Sequence, residues 1–177
     1  MRQSWFILML IVLFVGCASS PIHLSDTKAI ALQEAIVFGR VKVISQGTPV
    51  VWSTSPIFGA RFSIFIFPEG TPSAAVDYTL TGDGSFYWHL TPGRYTVAGF
   101  EWKRGNSRMG GHIVAKFVIP EAQSLLYVGT LTVLFTGGRY YARVEDEYGQ
   151  ALQELHNKFP ELRGEALREL LQLEQPL

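Results

Sequence analysis

Asp83-Gly84-Ser85-Phe86-Tyr87-Trp88-His89-Leu90-Thr91-Pro92-Gly93-Arg94-Tyr95-Thr96-Val97 reads as a turn, a strand, a second turn and another strand. Asp83-Gly84 is turn chemistry, because a residue without Cβ accepts positive φ without a clash. Phe86, Trp88 and Leu90 alternate with polar or amphipathic residues, the period of a half-buried strand. Thr91-Pro92-Gly93-Arg94 fits a type II turn, in which Pro presets φ at the second position and Gly supplies positive φ at the third. Tyr95, Val97 and Gly99 carry the chain back. An antiparallel pair with one aromatic face is expected, and it says nothing yet about chemistry.

Outward from this pair the same period continues on both sides. Upstream, Val37, Val41 and Val43 fall on one side of a β-branched run, with Arg40 and Lys42 on the other. Residues 62–67 form a strong strand stopped by Pro68, and residues 76–80 alternate into the turn at 82–84. Downstream, a Gly-rich polar hairpin tip at 103–111 leads to a strand over 113–119, ended by Pro120. A long strand follows over 125–135, then the two-residue hairpin signal Gly137-Gly138 and a returning strand over 139–144. The fold class is therefore mainly β, a seven- to eight-stranded antiparallel β-sandwich over roughly 35–145.

After residue 145 the period changes from 2 to 3.6. Tyr148, Ala151, Leu152, Leu155 and Phe159 make one apolar helical stripe. Pro160 ends it, and Leu162, Ala166, Leu167, Leu170 and Leu171 supply a second stripe. Residues 146–177 are thus expected to be a short C-terminal helical pair. An isolated pair of this size is marginal in water, so it is expected to pack on the sandwich.

The first residues carry an address. Arg2 precedes an unbroken apolar run of eleven residues, 5–15, shorter than the ~18 a spanning helix needs and suited to a signal peptide. Leu13-Phe14-Val15-Gly16-Cys17 then resembles a bacterial lipoprotein lipobox, departing from it in Phe14, where Leu is usual. The resemblance implies cleavage after residue 16 and lipidation of Cys17, the only cysteine of the chain. Several acyl chains would anchor the protein firmly, since each buried CH₂ contributes about 0.8 kcal/mol. Ala18 after the cysteine, by the same resemblance, directs the protein to the outer membrane, facing the periplasm. Residues 17–34 then serve as a lipid-anchored tether.

The 83–95 pattern Asp-Gly-x-Phe-x-Trp-x-Leu-x-Pro-Gly-x-Tyr resembles the central hairpin of transthyretin-like (prealbumin-like) sandwiches. These include carboxypeptidase regulatory-like domains and Cna-B-type repeats. Residues 118–120 and 127–131 are similar to bacterial lipoproteins built on that domain. The resemblance implies the fold and little about activity. The Lys–Asn–Glu set that forms the isopeptide bond of Cna-B-type domains is not recognisable, since the only asparagines are Asn106 and Asn157.

Chemistry is sparse. With 15 basic and 15 acidic residues and no basic block, the chain does not suit nucleic acid. His23, His89, His112 and His156 are scattered, so neither a metal nor a cofactor is expected. There is no Gly-x-Ser-x-Gly and no free Cys, which points to a non-enzymatic module. His89, beside Tyr87 and opposite Phe86 and Trp88, is the one histidine placed to line a groove, and a carboxylate next to it would reopen hydrolysis. Glu145-Asp146-Glu147 sit where a helix N-terminus favours carboxylates. The binding surface expected from sequence is Trp102 with Arg104, Arg108 and Tyr140 or Tyr141, the basic tip being able to hold an anion and the aromatics a sugar.

The expected function is that of a membrane-anchored envelope lipoprotein acting as a protein-binding or accessory module, with an envelope protein as partner. The alternative is a carbohydrate or peptidoglycan-fragment binder. The contact surface is expected on the tail helices or the 103–111 hairpin.

Overall fold

The computed structural model describes residues 33–50, 60–70, 76–80, 83–162 and 164–174. The expected signal peptide, Cys17 and most of the tether lie outside them. The elements are β1 (Ala35–Ser45), β2 (Thr48–Pro49), β3 (Ala60–Pro68), β4 (Val76–Leu80), β5 (Ser85–Leu90), β6 (Gly93–Arg104) and β7 (Ser107–Gly111). They continue with β8 (Ala115–Ile119), β9 (Leu125–Thr136), β10 (Arg139–Glu145), α1 (Tyr148–Lys158), β11 (Leu167–Arg168) and β12 (Gln172–Leu173).

Two sheets face each other. Sheet A runs β10-β9-β1, with β5 and β2 sharing the far edge of β1 and β11 pairing with β9. Sheet B runs β12-β8-β6-β3-β4, with β7 also on β6. Between them lie Val37, Val41 and Val43 of β1, Phe86 and Trp88 of β5, and Leu131, Val133 and Phe135 of β9. From sheet B they meet Phe62, Ile64, Ile66, Tyr95, Val97, Phe100 and Phe117. The alternation in the sequence is the cause, since successive strand residues face opposite sides and the apolar set turns inward.

Two features depart from the sequence-based expectation. The strands flanking Pro92-Gly93 are not a hairpin: β5 pairs with β1 in sheet A, while β6 pairs with β3 and β8 in sheet B. The turn is a corner that moves the chain between sheets. The Tyr95 hydroxyl donates to the Thr91 carbonyl at 2.8 Å and braces it. Gly93, at φ 151°, takes a conformation that L side chains rarely adopt rather than the φ near +80° of a type II turn. The sandwich is also not wholly antiparallel, because β1 and β11 each run parallel to β9.

The β1–β9 pair carries a bulge. Phe38 is opposite Tyr127 but Arg40 is opposite Thr130, so β9 holds one extra residue, at Gly129 with φ +97°. Leu126 and Val128 before the bulge, and Leu131 and Val133 after it, all reach the same core. The extra residue lets a 12-residue strand change parity without exposing either half.

A third layer covers sheet A from outside. Leu155 of α1, with Phe159 and Leu162 beyond it, packs on Ile36, Phe38, Tyr87, Leu125 and Tyr127, forming a second core. The predicted stripe is the one used, with Tyr148, Ala151 and Leu152 at its margin.

The second helix of the expected pair is not formed. Gly164, at φ 158°, interrupts the run, and residues 167–173 are extended. β11 continues along the β9 edge that β10 leaves at Glu145, and β12 pairs with β8. The amides of Glu169, Leu171 and Glu174 donate to the carbonyls of Tyr127, Val128 and Val114. Open edges of both sheets outcompete a short local helix, since every unpaired backbone group they satisfy would otherwise be costly. Leu171 enters the inter-sheet core, whereas Ala166 and Leu170 join the helix-side core.

Candidate functional site

Where α1 meets sheet A the outward side chains of β1 are charged, and the helix supplies their partners. Arg40 pairs with Glu154, lies 3.5 Å from Asp83, and its Nε donates to Ser85 Oγ at 3.3 Å. Lys42 Nζ is 2.5 Å from Glu147, whose other oxygen accepts from Thr130 Oγ1 at 2.9 Å. Thr132 donates to Glu145 at 2.7 Å, and Arg143 pairs with the same carboxylate at 2.8 Å. The Glu147 amide donates to the Tyr127 hydroxyl at 2.7 Å. Of the acidic trio at 145–147, Glu147 holds the N-cap position without a side-chain capping bond, and Asp146 before it accepts from the Tyr148 amide at 3.2 Å through Oδ1 while Oδ2 pairs with Arg168.

Partial burial works to raise the Glu147 carboxyl, but Lys42 and Thr130 outweigh it and hold it below the usual carboxylate range. Asp83 is held low in the same way against burial, by Ser85 and Arg40. A carboxyl lowered in the folded state contributes stability that is complete above its unfolded value, about 4, and is lost as pH falls through the folded value. Thermal unfolding is therefore expected to change little with these groups from pH 7 to 5 and to drop below about pH 4. Glu147→Gln is expected to make that acid limb shallower, as measured by melting temperature against pH.

This network is self-paired and holds the helix in place. The surface left open lies farther along the same face. Tyr141 of β10 is opposite Leu134 of β9, which is opposite Ile44 of β1, which is opposite Pro49 of β2. These four form one apolar row across four strands, at about 4.8 Å per strand. Tyr141 is 57% exposed, and α1 does not reach the row. The next row, Arg143–Thr132–Lys42, borders it with charge, and Arg139 stands exposed on the other side. β1 enters the domain at Ala35, so Ile44 lies about 30 Å from the point of entry.

The residues singled out from sequence are placed as follows. Cys17 is outside the described residues. Trp102 is half-buried against the inter-sheet core, 5.7 Å from the Phe135 ring, with a buried Nε1 that finds no partner among the described residues. Tyr140 faces the same core, 5.1 Å from Phe100, and its hydroxyl is engaged by both the amide and the carbonyl of His112. Trp102 and Tyr140 thus meet around Phe135, facing inward. Arg108 pairs with Glu101, which also holds Lys103 at 2.6 Å, so the hairpin tip spends two cations on its own carboxylate. Arg104 closes the β6–β7 hairpin opposite Ser107.

Among the described residues Tyr141 is the exposed large aromatic. Parity identifies it, because Gly137 and Gly138, at φ 58° and 75°, form a tight turn that fixes Tyr140 inward and Tyr141 outward. Two adjacent tyrosines conceal that parity in the sequence.

His89 does lie beside a carboxylate, with Nδ1 3.0 Å from Glu34 Oε2 but outside hydrogen-bonding alignment. Its imidazole has no exposed surface and Nε2 has no partner among the described residues. In this arrangement the imidazole offers no atom to a substrate, while the Glu34 side chain stays about a quarter exposed, 26%.

No protein-family profile matches the chain, and no curated protein is similar to it in sequence. Among solved structures, the chain is similar to 5-hydroxyisourate hydrolase of Klebsiella pneumoniae, at 13% identity and a TM-score of 0.32 over 67% of this chain and all of that one. It is also similar to an (S)-allantoin synthase, at 12% identity and a TM-score of 0.34 over 66% of this chain. It spans 46% of that synthase. The mainly β sandwich expected from the sequence rests on the two facing sheets themselves. One expectation is corrected beside these neighbours: absence of the familiar nucleophile motifs was read as a non-enzymatic module, yet the neighbours are named as a hydrolase and a synthase. The likeness assigns no reaction to this chain.

Proposed function

We propose that the chain is a lipid-anchored envelope protein that presents the distal face of sheet A to a protein partner. The observation that carries the reading is the row Tyr141–Leu134–Ile44–Pro49, an apolar strip that α1, packed on the Ile36–Phe38 end of that face, leaves open among the described residues. An exposed aromatic within an apolar strip bordered by charge is the composition of an interaction surface. The strip lies at the opposite end of β1 from the tether, so a domain held at its N-terminus would direct it away from the bilayer. Anchoring rests on the 13–17 lipobox resemblance, and the outer membrane on Ala18.

Two experiments test the parts separately. Cys17→Ser is expected to release the protein from membranes; retention after a carbonate wash would contradict the anchor. A photo-crosslinking amino acid at position 141, used in intact envelopes, is expected to yield one reproducible protein adduct. The same probe at the covered position 162 should yield none. Adducts to glycan alone would transfer the reading to carbohydrate binding, with the Tyr141 ring as its stacking surface.

A further inference from the structure

Among the described residues β10 is the terminal strand of sheet A, paired along one side by β9. The tight turn at Gly137–Gly138 makes Thr136–Arg139 a hydrogen-bonded pair, so Leu134–Tyr141 and Thr132–Arg143 are hydrogen-bonded pairs too. The amides and carbonyls of Tyr140 and Ala142 therefore point away from β9. They have no backbone partner among the described residues. The tail strands β11 and β12 pair with β9 and β8, and β12 also packs beside β10, but among the described residues neither takes up the backbone groups of Tyr140 or Ala142.

Beside the open edge stand three exposed side chains in alternate positions, Arg139, Tyr141 and Arg143. Arg139 has no ion pair among the described residues, and Arg143 keeps more than half of its side chain in solvent while paired with Glu145. Lys42 and Thr132 continue the polar border inward. An added strand would place alternate side chains next to these three, at the cross-strand spacing where opposite charges and aromatic–aliphatic pairs attract.

We propose that β10 is a strand-addition edge whose occupant is an extended acidic segment of a partner protein. Such a segment carries carboxylates at alternate positions, facing Arg139 and Arg143, with an apolar residue between them against Tyr141. Main-chain hydrogen bonds to Tyr140 and Ala142 would supply affinity, and the charge pattern would supply selectivity. This deepens the protein-binding reading by naming the partner's chemistry.

The probe is a ten-residue peptide alternating Glu and Val, compared with its Lys/Val counterpart, on the full mature domain. The Glu/Val peptide is expected to slow hydrogen exchange at the Tyr140 and Ala142 amides and to bind about tenfold or more tightly than the Lys/Val peptide, less so at high salt. N-methylation of the edge-facing amides of the peptide should abolish binding. Arg139→Glu with Arg143→Glu, both at exposed positions, should reverse the peptide preference, with the melting temperature lowered only by loss of the half-exposed Arg143–Glu145 pair. Equal affinities, or binding that leaves Tyr140 and Ala142 unprotected, would overturn the proposal. Concentration-dependent dimers that protect these two amides would also overturn it, by making a second copy the occupant. A protein adduct at position 141 with no acidic preference would refute strand addition while leaving the protein-binding reading standing.

Discussion

A chain ended at Glu145 is expected to lose the single cooperative unfolding transition of the full domain. The sequence suggested a helical pair packed on the sandwich, without saying whether the sandwich depends on it. In the structure the tail supplies Leu155, Phe159 and Leu162 to a core whose other half is Ile36, Phe38, Tyr87, Leu125 and Tyr127 of sheet A. Each fully buried large apolar side chain contributes about 1.5–3 kcal/mol. Eight such residues lie in this layer, and the net stability of a domain is only about 5–15 kcal/mol. Even with the ordering cost of the tail returned, the remaining sheet would face water with a continuous aromatic and aliphatic surface. Leu171 would also leave the inter-sheet core, and the paired edges at Tyr127, Val128 and Val114 would open. Calorimetry of the truncated chain checks this. Within the full chain, Phe159→Ala, at a side chain 1% exposed, should cost about 3–5 kcal/mol in a denaturant titration.

Gly39→Ala is the second large effect. Gly39 lies between Phe38 and Arg40, opposite Phe86 and beside the β9 bulge. A Cβ there would press into the Gly129 carbonyl oxygen and come within 2.8 Å of Phe86 Cζ. The Phe86 ring cannot retreat freely, because it stacks on Trp88 at 3.8 Å between centroids. The Gly129 carbonyl belongs to a backbone already fixed at φ +97°. One methyl group should therefore cost about 3 kcal/mol, the upper part of the range for overpacked cores. Chemical denaturation measures it, and a variant as stable as the parent would show that the bulge yields. At Gly47, which has open space around its Cβ direction but φ +80°, Ala should cost only the smaller backbone penalty.

How much of this was legible depends on whether an element's partner is local. The apolar alternation of β1, β5 and β9 and the stripe of α1 are carried by near neighbours in sequence, so the periods of 2 and 3.6 revealed them. The segment 162–171 carries a helical period too, yet its conformation is decided by sheet edges tens of residues away. Pro92-Gly93 likewise signals a turn without saying whether the strands that follow share a sheet. That depends on where β3 and β8 wait for β6.

The candidate surface was half legible. The aromatic and basic residues around 102–108 and 140–141 were found, but only the turn at 137–138 separates Tyr140 from Tyr141. Glu101 had given no sign that it would take up Lys103 and Arg108. Ile44, Leu134 and Pro49 become a row with Tyr141 only through cross-strand register, which no single stretch of sequence records.

The C-terminal segment pairs with both sheets, while the Tyr140 and Ala142 backbone groups of β10 keep no partner among the described residues. Residue-resolved hydrogen exchange on the free domain tests both halves at once. The amides of Glu169, Leu171 and Glu174 should exchange as slowly as the inter-sheet core, and those of Tyr140 and Ala142 orders of magnitude faster. Rapid exchange across 167–174, or slow exchange at Tyr140 and Ala142 in the absence of any partner, would contradict it.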